Sequence, residues 1–398
     1  MVDLTENVPP EIDRFRSRAL IVGVAAAVLC AIGAIFDPAQ FFRSYLLGYI
    51  FWAGITLGCL AILMVQHLSG GAWGVVIRRP LESATRTLPL LALLFIPIAA
   101  GIPFIYIWAR PEDIHANPVL EHAMHVKEAY LNIPFFIART VFYFVVWIGL
   151  SYLLNKWSRE QDETGYRPLT RKLQVLSGPG LVLFGLTVTF AAVDWIMSLE
   201  PTWFSTIFGI LIMGGQALSA MAFVIAVLVV LSNYSPMSDV VKPAHLHDLG
   251  KLMLAFLMLW AYFSFSQFLI IWSANIPEEV TWYVRRLNTA WSYIGVALIV
   301  LHFALPFVLL LSRDLKRNSK LLAGVALAVI FFRFVDLLWL TGPEFHHGEF
   351  YIHWMDLLMP IGIGGVWLWF YLSQLRMRPL LPIRDPYLEE AMAHGGGH

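Results

Sequence analysis

The chain has 398 residues, of which 59% are hydrophobic and 14% charged, and its basic and acidic side chains balance to a net charge of zero. A soluble domain carries about a quarter charged residues, so with a mean hydropathy of +0.69 the solvent for this fold is lipid, and the absence of any basic block excludes a nucleic-acid partner. Cys30 and Cys59 lie singly in apolar runs, which excludes a disulfide framework, a zinc site or an Fe–S ligand set.

The N-terminus reads as a cytoplasmic segment, residues 1–18, and not as a secretory signal. Asp3, Glu6, Glu11 and Asp13 stand where a signal peptide would be positive. A spanning helix needs roughly 20 mostly apolar residues, and ten runs qualify. They are Ala19 to Phe36, Ser44 to Leu68, Thr87 to Ala109, Asn132 to Asn155, Leu173 to Ser198, Trp203 to Leu231, Leu249 to Ser273, Leu287 to Leu311, Ser319 to Leu340 and Tyr351 to Leu375. Pro89, Pro97 and Pro103 predict a kinked third span. The stretch Arg78 to Arg86 before it reads as an amphipathic lead-in along the interface. The fold class is therefore an all-α integral membrane protein, with residues 19–375 as the membrane domain and 376–398 as a cytoplasmic tail.

Orientation follows from the Lys and Arg bias of short loops. The segments on the side of the N-terminus hold most of these residues, while the opposite side holds Arg43, Arg110, Lys127, Arg285 and Arg286. This places both termini in the cytoplasm and supports an even number of spans. A short internal match points the same way. Phe190-x-x-Val193-Asp194 precedes Pro201 as Phe332-x-x-Val335-Asp336 precedes Pro343. Such a parallel repeat pairs helices two to five with helices six to nine as two four-helix bundles.

Ionisable groups inside spans are costly and mark functional candidates. They are Arg139, Asp194, His302, Arg333, Asp336 and Asp356. At about 1.5 Å rise per residue, Arg139, Asp194, Asp336 and Asp356 lie roughly 6–11 Å below the outer surface, as one layer from four helices. Arg333 lies one turn deeper and His302 near the midplane. A structural reading is available for each: Arg333 and Asp336 are i,i+3 neighbours that can satisfy each other, Arg139 can partner Asp194 or Asp356, and a lone His302 can be a packing residue. The functional reading is a polar cavity opening outward for quinone or proton chemistry. Three carboxylates against two arginines leave one able to carry a proton. Asp194 and Asp356, without a same-helix cation, are the stronger candidates.

Other polar groups carry less. His67 and His245-x-His247-Asp248 read as interface residues, with the mouth of a proton path as the alternative. His346-His347-Gly348-Glu349 and His353 lack a metal-ligand spacing. A di-haem cytochrome needs buried histidine pairs, and His302 alone is well buried, so no haem is expected. No Gly-rich loop cradles a phosphate.

The stretch Asp194-Trp-Ile-Met-Ser-Leu-Glu200-Pro-Thr-Trp-Phe-Ser-Thr-Ile-Phe-Gly209 resembles the quinone-interacting NrfD and polysulfide-reductase membrane subunits. It is most similar to the NrfD-like chains of alternative complex III, and among them to the one lying farther from the Fe–S relay. The loop Lys127 to Asn132 leading to Arg139 and the tail Pro379 to Ala391 support the likeness. The resemblance implies two four-helix bundles plus two peripheral helices in a bacterial inner membrane. It implies no haem and no Fe–S cluster in this chain, with a quinone or quinol (menaquinone or similar) as a possible ligand. The implied partners are a sister NrfD-like quinone-binding membrane subunit, a periplasmic Fe–S subunit and multihaem c-type cytochrome subunits. The implied role is support of quinol oxidation with proton conduction or translocation, and Asp194 is the residue that falls in the family stretch. The competing expectations are a stand-alone secondary transporter, whose sites favour broken helices meeting at the midplane, and a structural membrane scaffold.

Overall fold

The computed structural model describes residues 10–346 and 349–394. Asp3, Glu6, His347 and Gly348, named above, lie outside the described residues. Ten helices are long and apolar enough to cross a membrane: α1 (Pro10–Gly33), α2 (Pro38–Ser69), α3 (Ala72–Ala100), α4 (Ile133–Thr164), α5 (Pro168–Leu199), α6 (Phe208–Leu231), α7 (Pro243–Ala274), α8 (Trp291–Leu311), α9 (Ser319–Phe345) and α10 (Trp354–Leu375). The chain is thus an all-α, multi-pass membrane protein. Helix α1 starts at Pro10, ahead of the apolar run that begins at Ala19, because a helix continues into water when its polar turn needs no burial. Arg376 beyond α10 pairs with Asp13 at the start of α1 at 2.6 Å. Both ends of the membrane domain therefore meet on one face, called here the terminal face; the other is the loop face.

Helix α3 is broken. After a 3₁₀ turn it runs as Arg78–Thr85, Leu88–Leu94 and Ile96–Ala100, and a further turn follows at Ile102–Ile105. Pro89, Pro97 and Pro103 each open a new piece. Proline lacks an N–H and clashes with the carbonyl four residues back, so it is tolerated in the first turn and ends what precedes it. The expected interfacial lead-in at Arg78 to Arg86 is not on the surface: Arg78, Arg79 and Glu82 are almost fully buried.

Helices α2, α3, α4 and α5 pack in order around a closed ring, and α6, α7, α8 and α9 form a second. The two bundles meet along α2 and α6, with α5 also against α6 and α9 against α2. Burial follows from this. The apolar windows of α2 and α6 are 89% and 67% buried, whereas α7 and α8 face lipid over most of theirs. Helices α1 and α10 pair with each other beside α2.

Small residues set the close crossings, as expected where lipid and side chains are equally apolar and packing must hold helices together. A Cβ on Gly58 would lie 2.1 Å from the carbonyl oxygen of Gln216, and one on Gly365 would lie 2.3 Å from that of Ala19. Gly178 and Gly185 have no such neighbour. Gly58→Ala is expected to cost about 1–3 kcal/mol by forcing the two bundles apart. Gly185→Ala should be neutral or gain up to about 1 kcal/mol of helix propensity. Thermal unfolding of the detergent-purified variants checks the pair, and equal midpoints would refute the crossing argument.

The tail is part of the fold. Leu380 and Leu381 are fully buried. Arg384 donates to the Glu163 carbonyl at 2.7 Å, His245 Nε2 bonds the Ala391 carbonyl at 3.0 Å, and His394 pairs with Asp248 at 2.9 Å. The strap therefore crosses the terminal face from the first bundle to the second.

Candidate functional site

The loop-face layer resolves into three sites, one in each bundle and one at their joint. In the first bundle, Asp194 ends the regular part of α5 and is fully buried. Arg139 of α4 meets it with two parallel bonds, Nε to Oδ2 and Nη2 to Oδ1, both 2.9 Å. Tyr143 OH, one turn along α4, donates to Oδ2 at 2.7 Å. The guanidinium also donates to the Tyr130 carbonyl and lies between the rings of Tyr130 and Phe135, at 3.8 and 4.3 Å. A forked pair of this kind is strong and directional. It leaves Asp194 neutralised and its oxygens occupied, so Asp194 clamps α5 to α4 and is not the unpartnered carboxylate.

In the second bundle, Arg333 and Asp336 pair within α9. Trp260 of α7 donates its indole N–H to Asp336 at 3.1 Å. The guanidinium occupies the space beside Gly215, where a Cβ would fall 2.1 Å from Arg333 Cζ, so the small residue on α6 makes room for the charge. His302 stands edge-on to Trp260, ring centroids 4.3 Å apart. It is fully buried, and neither ring nitrogen has a hydrogen-bond partner among the described residues. It sits on a π-helical stretch, Leu298–Ala304, within α8; such wide turns often occur at functional sites. The structure thus joins three of the residues read from the sequence, His302, Asp336 and Arg333, into one chain of contacts through Trp260.

Asp356 belongs to neither bundle. It sits in the first turn of α10, and Oδ1 accepts from Gln40 Nε2 at 2.9 Å and Ser44 Oγ at 2.6 Å. Oδ2 accepts from the His353 backbone N–H at 2.9 Å. All three donors are neutral, and no cation forms an ion pair with Asp356 among the described residues. Of the three carboxylates, Asp356 is therefore the one left without a cation. Gln40 and Ser44 carry no signal in the sequence, since neutral polar residues one turn apart are common at helix ends.

Two cavities border these groups. One of about 20 Å³ lies between the bundles, lined by Arg333, Gln216, Ser219 and apolar residues of α2 and α5, and has room for about one water. The other lies beside Asp356, between α2, α9 and the start of α10. No group of three or more metal-capable side chains comes together among the described residues.

A buried ion network closes the terminal face of the first bundle. Glu82 accepts from Arg79 at 2.5 Å and from Ser158 at 2.5 Å, and pairs with Arg78 at 3.4 Å and Arg378 at 3.3 Å. Arg78 also pairs with Asp385 of the tail, and Arg79 with Asp162. Three guanidiniums thus balance three carboxylates. On the loop face, Glu200 and Glu344 pair with Arg285, and Glu344 also with Arg286. Burial pushes Glu200 up, but the adjacent Arg285 guanidinium outweighs it and holds the carboxyl below its ordinary value. These contacts fasten the helix Pro277–Leu287 across the top of both bundles.

No known protein-family model matches this chain, and no curated protein matches it.

Proposed function

We propose that this chain is a cofactor-free membrane subunit of a quinol:electron-acceptor oxidoreductase of the alternative complex III type, in which Asp356 carries protons near the loop face. The observation that carries the reading is the contrast among the three carboxylates. Asp194 and Asp336 are each neutralised by arginine, while Asp356 is buried and held by neutral donors alone. A carboxylate so placed changes protonation without leaving an arginine uncompensated. The terminal face lies in the cytoplasm of a bacterial inner membrane on this reading, so protons from quinol oxidation leave on the loop side. The partners are the sister quinone-binding subunit, the periplasmic Fe–S subunit and the multihaem cytochromes that the resemblance implies, and a quinone or quinol reaches the site from the membrane.

Two features support this over a stand-alone transporter. Buried charge gathers toward the two faces, the Glu82 network at one and Asp194, Asp336 and Asp356 toward the other, and the broken helix α3 has its breaks filled by neighbouring helices and not by a midplane site. The scaffold reading draws on a different observation, the saturation of Asp194 and Asp336 by their partners. Gentle purification of the tagged chain, with mass identification of what accompanies it and an absorbance spectrum, decides among them. Recovery with Fe–S and c-type haem subunits is expected. A colourless chain recovered alone would overturn the reading and leave transport to be tested.

A further inference from the structure

The cavity beside Asp356 has a second charged wall. Arg43 of α2 follows Gln40 by three residues and precedes Ser44 by one, and it lines the same cavity as Asp356, with Leu338, Thr341 and Phe345 of α9. Its guanidinium lies 5.6 Å from the centre of the Phe345 ring. Arg43 is within electrostatic reach of Asp356, yet the two form no ion pair. Among the described residues no acceptor takes a hydrogen bond from the guanidinium, and its Nε is buried without a partner. A desolvated donor left unpaired is costly, and Arg139 and Arg333 avoid that cost by meeting carboxylates directly. The cavity that Arg43 and Asp356 both line measures about 10 Å³, room for about one water. A water bound in that cavity has Arg43 as an available donor and Asp356 as an available acceptor.

We propose that Arg43 is the positioning residue for proton exchange at Asp356, holding the bridging water and tuning by its charge how readily the carboxyl gives up its proton. The inference rests on the reading of Asp356 as the proton carrier. In the step itself the water takes the proton of the Asp356 carboxyl and gives one of its own to solvent at the loop face. Arg43 stays protonated throughout, so charge and atoms balance. Other groups bear on the site. Asp37 and Arg110 act on Arg43, Gln40 and Ser44 bond Asp356 from α2, Thr341 lines the cavity from α9, Tyr351 and His346 line it ahead of α10, and the His353 N–H bonds Asp356.

Infrared titration of the purified full-length chain tests this, following the carboxyl band that disappears in Asp356→Asn. In Arg43→Gln the midpoint of that band is expected to move to higher pH by about one unit, since an opposite charge nearby favours the ionised form. Arg43→Lys should return it. If Arg43→Gln does not fold, Asp37→Asn is read in its place. It keeps the helix cap, removes a negative charge, and is expected to move the midpoint the other way. An unmoved midpoint, or no band assignable to Asp356, overturns the proposal. The measurement needs no partner, so the two ideas fail separately. A moving band in a chain without haem partners keeps the role of Arg43 and discards the complex. A still band in a complex that oxidises quinol does the reverse.

Discussion

Asp356→Asn is expected to leave the complex assembled and to lower its quinol turnover by about a hundredfold or more, the usual scale for losing a positioned proton-transfer group. Asparagine has nearly the shape of aspartate, and its carbonyl oxygen can still accept from Gln40 and Ser44. No arginine is orphaned, because none is paired with Asp356. The variant therefore removes the proton site and one cap bond, since the amide nitrogen that replaces Oδ2 cannot accept from the His353 N–H. Turnover with a soluble quinol, measured per haem in the purified complex, reads the effect directly. Unchanged turnover at unchanged haem content would mean that Asp356 is a helix cap and nothing more. Asp194→Asn is the instructive contrast. It leaves Arg139 buried beside a neutral amide, so it should lower the yield of folded protein before it lowers turnover.

The largest loss of stability is expected from Glu82→Gln. Glu82 is 1% exposed and touches three guanidiniums. Removing its charge leaves three arginines against two carboxylates in a site closed to water. Breaking a buried ion pair by deleting one partner costs about 3–5 kcal/mol, because the remaining charge is uncompensated. Since folded proteins hold only about 5–15 kcal/mol in reserve, a large fraction of the stability should go. Fluorescence-detected size exclusion of the variant, alongside its melting midpoint, checks this. A monodisperse variant that melts within a few degrees of the parent would show that water reaches the network and screens it.

Much of the fold is legible from one-dimensional pattern. Apolar run length locates the ten spans, because a bilayer of fixed thickness demands a fixed length of helix. The three prolines locate the breaks in α3, because the constraint they impose is local. The match between Asp194 and Asp336 points to the two bundles, which the packing order of the helices bears out. Depth counting groups Arg139, Asp194, Asp336 and Asp356 as one layer, which the structure divides among three sites. What the pattern does not reveal is which helix faces meet. Whether Arg139 reaches Asp194 or Asp356 depends on helix rotation, and rotation is fixed by packing that a single chain of letters does not display. Arg78, Arg79 and Glu82 look like an interfacial stretch until Asp385, some three hundred residues away in sequence, is seen to close over them. Arg43 counts as a flanking loop charge if α2 begins at Ser44. Its helix begins at Pro38, which moves the guanidinium inside.

The strap across the terminal face has a consequence for how the protein is made. Arg78 is synthesised 307 residues before Asp385, one of its two counter-ions. Helix α1 likewise precedes α10, against which it chiefly packs, by the other eight described spans. Until the strap follows, Arg78 and Arg79 are balanced by Glu82 and Asp162 alone, and helix α1 rests on α2 without its main partner. The strap thus brings Arg378 and Asp385 to the network together, one cation and one anion, so it covers the terminal face of the first bundle without changing the net charge buried there.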